Sequence, residues 1–281
     1  MHPTATALRA GIIRGLIELR QSFTGAGLVG HLFWPVVTLV AIFFLRDRSV
    51  GAGGLTLGTL ALPSVLGMFV ALGMLLMVQY LTAEREDGTL LRAKAIPNGI
   101  GGYLIGKLVT VSGTVLVYLA ILLIPGLVIV DGLDIAGIGS WLTLAWVLLL
   151  GLVATQSIGA MLGALISSPR GAGYISLPVM GLIAISGIFH PITALPGWLQ
   201  GIAQAFPMYW LGLGMRSALL PDSAVGVELG GSWRHLETIA VLGAWAVLGL
   251  IVAPVVLRRM ARRESGARVA ERREKLLQRV G

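Results

Sequence analysis

Long runs of apolar residues constrain this chain more than any other feature of its sequence. About 20 apolar residues, at a rise of 1.5 Å per residue, cross the roughly 30 Å hydrocarbon layer of a bilayer. Runs of this order predict six membrane-spanning helices, near 28–45, 60–82, 103–130, 141–166, 173–189 and 237–257. The fifth run is interrupted by Pro178. The expected fold class is an all-α, polytopic membrane protein.

The composition agrees with a membrane protein and excludes several kinds of chemistry. Only 12% of the residues are charged, against about 25% in a soluble domain. The chain has no cysteine, which removes disulfides, thiolate metal sites and cysteine nucleophiles. Its four histidines lie far apart, and neither G-x-S-x-G nor H-E-x-x-H occurs. We therefore expect no catalytic site, no metal site and no cofactor bound by this chain.

The basic residues predict how the chain is oriented. With six spans, 17 Lys and Arg fall on the side of the two termini and four on the other, whereas the acidic residues divide seven to six. Because loops rich in Lys and Arg stay in the cytoplasm, both termini are expected there. The excess comes largely from the tail, 258–281, which carries nine basic residues. We expect this tail to bind anionic membrane lipids rather than nucleic acid.

Two segments outside the spans are also apolar in part. In residues 1–27, Leu8, Ile12 and Leu16 recur at a helical spacing opposite Arg14 and Glu18, which predicts an amphipathic interfacial helix rather than a signal peptide. Residues 190–236 form the connection before the last span. Prolines divide this connection, and we expect short external re-entrant helices at 196–206. Its aromatic residues are of the types that lie at headgroup depth: Trp198, Tyr209 and Trp210.

A glycine-rich string at 101–107, GGYLIGK, matches part of a phosphate-binding loop but lacks the Ser or Thr that would bind magnesium. It also opens a predicted span instead of following a strand. We interpret Gly102 and Gly106 as helix-packing residues, and we expect Lys107 to extend its amine toward the membrane surface.

The segment 84–97 between the second and third spans reads EREDGTLLRAKAIP. Mixed charges, two leucines and a Pro-Asn-Gly turn describe a short helix that reverses toward the membrane. The charge pattern alone is equally consistent with a solvated loop and with a helix that docks a cytoplasmic partner.

With this segment, and with the P-x-x-x-L-P-x-W-L string at 191–199, the chain resembles the type-2 ABC exporter permeases, the daunorubicin-resistance-like membrane subunits. The resemblance extends over nearly the whole chain. It implies a half-transporter that pairs with a second copy or a close relative. It also implies two soluble ABC ATPase subunits as partners, which bind the ATP and magnesium.

The resemblance also implies roles for particular segments. The chain would be a single transmembrane domain, 1–257, in which 5–22 is a connecting helix and 83–102 a cytoplasmic coupling segment. A smaller second coupling loop would lie at 167–170. The residues expected to contact the ATPase are Glu84, Arg85, Glu86, Asp87, Gly88, Thr89, Leu90, Leu91 and Arg170. Leu90 and Leu91 would supply the buried part of this contact.

Polar residues within the spans are the candidates for a substrate path. Thr155, Gln156 and Ser157 lie near the middle of the fourth span, and Gln79, Thr110 and Thr114 are weaker candidates. Hydrogen bonding between helices is the simpler explanation of all six. No acidic residue lies deep in a span, which disfavours a proton or sodium relay.

We therefore expect the membrane subunit of an ATP-driven exporter of amphipathic or hydrophobic, drug-like compounds, without catalytic activity of its own. One alternative is an exporter of polysaccharide or lipid-linked glycan in the same superfamily, which the 7% aromatic content disfavours. The other is a secondary carrier or membrane scaffold with no ATPase partner, for which inverted repeats would be expected and are not found.

Overall fold

The fold is built from α-helices. A computed structural model describes residues 3–49, 56–96, 98–166 and 169–263, and these ranges contain no β-strand. Three short 3-10 helices accompany ten α-helices: α1 (Pro3–Ser22), α2 (Gly25–Leu45), α3 (Leu57–Glu86), α4 (Thr89–Lys94), α5 (Gly99–Ile129), α6 (Ile138–Leu165), α7 (Pro169–Ala184), α8 (Gly197–Ala205), α9 (Pro207–Leu219) and α10 (His235–Arg263). The expected all-α class is confirmed.

Five of these helices are long and apolar enough to cross a membrane, namely α2, α3, α5, α6 and α10. The chain is therefore a multi-pass membrane protein. The predicted fifth span, 173–189, corresponds to α7, which has only 16 residues and ends at Ala184. Pro178 lies inside α7. The count of six spans is thus not confirmed, because this helix is shorter than a crossing normally requires.

Helix α3 is at the centre of the bundle. Of the residues in its most apolar stretch, 72% are buried, compared with 11% of those in the corresponding stretch of α2. It packs against α2, α5, α6, α7 and α9. Glycines allow the closest of these approaches, because a Cβ added at Gly67 would lie 3.0 Å from the Cα of Gly212 in α9. The core of the molecule therefore forms around α3.

Helix α9 corrects an expectation about the connection before the last span. Its first residue is Pro207, a favourable first position for a helix, and most of its 13 residues are buried. Tyr209 and Trp210 are 0% and 2% exposed, so they pack inside the protein and do not face lipid headgroups as expected. Trp198 is 67% exposed, on α8. A short helix is present in the expected range as α8, Gly197–Ala205, whereas its re-entrant position is not confirmed.

Helix α1 runs beside the first part of α5 in the same direction. A Cβ at Gly11 would lie 2.5 Å from the carbonyl oxygen of Gly102, and one at Gly15 would lie 2.5 Å from that of Gly106. The predicted packing role of Gly102 and Gly106 is thereby confirmed. The position of α1 at the membrane interface stays a prediction. Its apolar residues face away from the bundle and are exposed: Leu8, Ile12, Ile13, Leu16 and Ile17.

Replacing Gly15 by alanine is expected to destabilise the fold by about 1–3 kcal/mol, because the new methyl group meets backbone that cannot move without separating two helices. Thermal unfolding in detergent measures the loss. The control is Gly30→Ala in α2, where a Cβ meets nothing within 4 Å and the better helix propensity of alanine opposes any loss. Equal stability of the two variants would show that the α1–α5 contact is looser than described.

Candidate functional site

A buried lysine links three helices at the end of the bundle where α1 and α4 lie. The ammonium group of Lys107, in α5, donates hydrogen bonds to Glu18 Oε2 in α1 and to Glu84 Oε1 in α3. Only 2% of the Lys107 side chain is exposed, and the two glutamates are 22% and 15% exposed. We call these three residues the Lys107 cluster. An ammonium shared by two carboxylates carries a net negative charge, which a further cation can balance.

That cation is Arg14, one helical turn before Glu18. Its Nε donates to Glu18 Oε1 at 2.8 Å. The hydroxyl of Thr110 lies 3.3 Å from the other oxygen, Glu18 Oε2, and 3.1 Å from the carbonyl oxygen of Gly15. Burial of the Glu18 carboxyl raises its pKa, but the hydrogen bonds from Lys107 and Arg14 lower it by more, so the net pKa lies below the ordinary value. Glu18 is therefore ionised in the folded protein near neutral pH.

Two tyrosine rings enclose the lysine. The Nζ atom of Lys107 lies 5.1 Å from the ring centre of Tyr80 and 5.9 Å from that of Tyr103, within the range of cation–π attraction. The Tyr80 hydroxyl lies 3.3 Å from the Ser22 hydroxyl at the end of α1. Because the rings exclude water, the charges of the Lys107 cluster attract one another more strongly than they would on a surface.

The prediction that Lys107 extends its amine toward the membrane surface is wrong, and its partners explain why. A lysine near a span end has an apolar stem and a mobile head, but here two carboxylates hold the head inside the protein. A signal for this arrangement is present in the sequence. Gly11, Gly15 and Glu18 share one face of α1, at spacings of four and three. This face of α1 is complementary to the stretch 102–107 of α5. The small residues of the two helices allow close packing, and the acid of α1 can pair with the lysine of α5.

The segment expected to contact a partner forms a helical hairpin. We define the α3–α4 hairpin as residues 83–96. Helix α3 continues to Glu86, and Gly88 turns the chain with a φ of +80°, which favours glycine. The Asp87 carboxylate then accepts a hydrogen bond from the backbone N–H of Thr89 at 2.8 Å. These local contacts fix the angle between α3 and α4.

The α3–α4 hairpin is fastened to its neighbours on two sides. Glu84 binds the ammonium of Lys107 in α5. Next to it, Nη1 of Arg85 donates to the carbonyl oxygen of Ile166 at 2.7 Å, at the end of α6. A carbonyl at a helix end lacks an intrahelical partner, so the guanidinium supplies a missing hydrogen bond there. A displacement of the hairpin would therefore act directly on both α5 and α6.

The expected partner-contact residues divide into an inward and an outward group. Leu90 is 2% exposed and belongs to the core, and Glu84 is engaged by Lys107. Asp87 is exposed, whereas Glu86 and Leu91 are partly exposed. Residues 167–168 and the side chain of Arg170 lie outside the described part of the chain. The outward group is the part of the hairpin that a partner can reach.

The candidate substrate-path residues lie mostly inside the bundle. Thr155 donates to the carbonyl oxygen of Gly151 at 2.8 Å, and Gln156 Nε2 donates to Ser112 Oγ on α5 at 2.9 Å. Ser157 is buried against Gly249 of α10.

The three weaker path candidates differ in exposure. Thr110 and Thr114 are buried and bond to carbonyls of α5, whereas Gln79 is exposed. Within one chain, these contacts are those of helix packing.

A second buried ion pair fastens the opposite end of the bundle, and no local pattern in the sequence predicts it. Arg216 of α9 donates through Nε to Glu228 Oε1 at 2.5 Å and through Nη2 to Oε2 at 3.2 Å. Its Nη1 reaches Ser64 Oγ in α3 and the Gly187 carbonyl oxygen, each at 3.2 Å. The guanidinium therefore holds α3, α9 and the segment after α7 together.

An apolar groove of about 460 Å³ lies between α1 and the connection from α4 to α5. Its walls include Ala7, Gly11, Arg14, Ile96 and Tyr103, and none of the candidate substrate-path residues. Over the described residues, no group of three or more His, Asp or Glu is placed to hold a metal ion.

The five candidate spans define a polytopic membrane protein. The family model described as ABC-2 family transporter protein matches residues 49–255. This match covers well over half of the chain, and the chain belongs to that family. A search of curated proteins finds no match. The match includes the α3–α4 hairpin and Lys107. It begins after α1, so Glu18 lies outside it.

The lowered pKa of Glu18 predicts a loss of stability in acid. Because the folded-state pKa lies below the ordinary value of 4.5, the stabilisation is fully present above that value and is lost as the pH falls through the folded-state pKa. Thermal unfolding in detergent, measured between about pH 6 and pH 3, should fall more steeply for the wild type than for Glu18→Gln. Parallel curves would show that Lys107 and Arg14 do not stabilise the ionised carboxylate.

Proposed function

We propose that this chain is the permease of an ABC exporter that moves amphipathic or hydrophobic compounds out of the cytoplasm by alternating access. Membership of the ABC-2 family supports the transporter class, and members of this family normally work with ATPase subunits. With six crossings, the 17 to 4 distribution of basic residues supports an orientation with both termini in the cytoplasm. The membrane would then be the cytoplasmic membrane, and the α3–α4 hairpin would face the ATPase.

The attachment of the α3–α4 hairpin is the observation that carries this proposal. A partner that closes on ATP can do mechanical work only on a segment that is joined rigidly to spanning helices. The hairpin continues α3, and Glu84 and Arg85 attach it to α5 and α6. The outward acids Glu86 and Asp87 offer carboxylates to Arg or Lys on a partner. We therefore assign the coupling role to the hairpin as a unit and the partner contact to its outward residues.

The cargo class follows from the polarity of the spans. Thr155, Gln156 and Ser157 are polar but uncharged. Thr155 and the amide nitrogen of Gln156 form hydrogen bonds within the chain, whereas Oε1 of Gln156 is buried without a hydrogen-bond partner. A path lined by such helices suits a cargo with much apolar surface and few charges. Because the described groove lies at the hairpin end of one chain and not along the spans, we propose that the path forms between this chain and a second copy or close relative. Gln79, exposed on α3, would line its cytoplasmic entrance.

Affinity purification of the tagged chain from its native membrane tests the proposal. A soluble ATPase should accompany the wild type in a stoichiometric amount. Glu86→Lys combined with Asp87→Lys should reduce the recovered ATPase at least about tenfold, since each reversal replaces attraction by repulsion and about 1.4 kcal/mol corresponds to a factor of ten.

The matched control is Glu237→Lys, which reverses the charge of an exposed acid at the end of the bundle opposite the hairpin. This control should retain the ATPase. A wild-type chain that brings down no ATPase would contradict the proposed function. An ATPase that remains bound to the double variant would contradict the assignment of the contact to Glu86 and Asp87.

A further inference from the structure

We propose that Lys107 is a positioning residue that makes the α3–α4 hairpin move together with α1 and α5 during the transport cycle. Glu18 holds the side chain of Lys107 in the position that this role requires. The inference rests on the proposed function and assigns a role to two residues outside the partner contact. Lys107 has 2% of its side chain exposed, so it is not a site for a partner. Its role must therefore act through the helices that it joins.

Helices α1 and α5 form one unit. Their backbones meet at Gly11 with Gly102 and at Gly15 with Gly106, where no side chain separates them. Contacts this close prevent the two helices from sliding without breaking the packing along several turns. Glu18 and Lys107 therefore belong to the same rigid unit, and the hydrogen bond between them fixes the direction of the lysine stem.

Helix α3 is attached to this unit through Glu84. Apart from the 3.3 Å contact between the hydroxyls of Ser22 and Tyr80, the Lys107 cluster is the polar link between α1 and α3 that the described residues show. Glu84 lies two residues before the last residue of α3, where a push on the hairpin enters the helix. The link is therefore at the position where the load would arrive.

Electrostatics makes the link stiff. If Glu84 moved away from Lys107, the ammonium would keep only Glu18, and the Glu84 carboxylate would be left partly buried without a cation. Leaving a buried charge unpaired costs several kcal/mol, far more than stretching an exposed ion pair. A displacement of the hairpin is then less costly if α1 and α5 follow it than if the Lys107 cluster separates.

The role of Glu18 distinguishes this proposal from simple charge neutralisation. Lys107 could be neutralised by Glu84 alone, yet a second carboxylate binds it from α1, and Arg14 and Thr110 hold that carboxylate in place. Such an arrangement restricts the position of the ammonium group. A purely structural role predicts a change in stability only, whereas a positioning role predicts a change in how the hairpin moves when ATP binds.

Spin labels measure this movement in the assembled complex of permease and ATPase. The chain has no cysteine, so Ile17→Cys in α1 and Ala95→Cys after α4 give two labels at exposed positions without further substitution. The distance between the labels is recorded without nucleotide and with ATP and vanadate. In the wild type it should be the same in both states, because the hairpin and α1 move together.

In Lys107→Gln, the same distance should change between the two states by about one helical turn, roughly 5 Å, or broaden by as much. Glu18→Gln should show a smaller change in the same direction. Glu237→Gln, the matched control at the other end of the bundle, should behave as the wild type. If Lys107→Gln does not fold, Glu84→Gln gives the same readout, since Lys107 then keeps Glu18 as its partner.

Two results would overturn the inference. One is a distance that changes with nucleotide in the wild type, which would show that hairpin and α1 move separately. The other is an unchanged distance in both Lys107→Gln and Glu84→Gln, which would show that the Lys107 cluster transmits nothing. Either result leaves the proposed function intact if the ATPase is bound, whereas a failure to recover any ATPase contradicts the function itself.

Discussion

An ammonium group buried among three helices must find its counter-charges within the protein. Lys107 finds them on α1 and α3, and this requirement determines how the two helices lie against α5. The glycines of α1 and α5 allow the two helices to pack closely, and this packing brings Glu18 within reach of the lysine. The charge therefore depends on the packing. Without the close contact of α1 with α5, Glu18 would not reach the lysine, and the ammonium group could not be buried with its counter-charge.

Buried charged residues join helices at each end of the bundle. At one end the Lys107 cluster joins α1, α3 and α5 beside a hairpin in which Asp87 is exposed and Glu86 is partly exposed. At the other end the pair of Arg216 and Glu228 joins α9 to its following segment and to α3. Both groups include α3, the most buried of the candidate spans. In the proposed mechanism, a movement that enters at the hairpin would reach the far end through this one helix.

The fold class and the transporter family follow from the sequence because they depend on local features. Run length identifies a span, and the EREDGTL string at 84–90 carries the resemblance. The short α7 was counted as a span because its run continues into residues that the structure places after the helix end at Ala184. Tyr209 and Trp210 were assigned to the surface because their residue types prefer it, whereas tertiary packing placed them in the core.

The candidate site was less predictable because its contacts join residues far apart in the chain. The segment containing Glu84 was identified, but its acids were treated as one group, and nothing in the local spacing shows that Glu84 turns inward while Asp87 is exposed. Lys107 was explained by its position near a span end alone. Its partners lie 89 and 23 residues away, and only the matching small faces of α1 and α5 connect them in the sequence.

The proposed function requires that this chain has no energy source of its own and receives mechanical work through the α3–α4 hairpin. Purified alone into sealed lipid vesicles with ATP, and tested with a fluorescent amphipathic dye, the chain should not accumulate the dye against its gradient, whereas the complex with its ATPase should. Uphill accumulation by the lone chain would contradict the account.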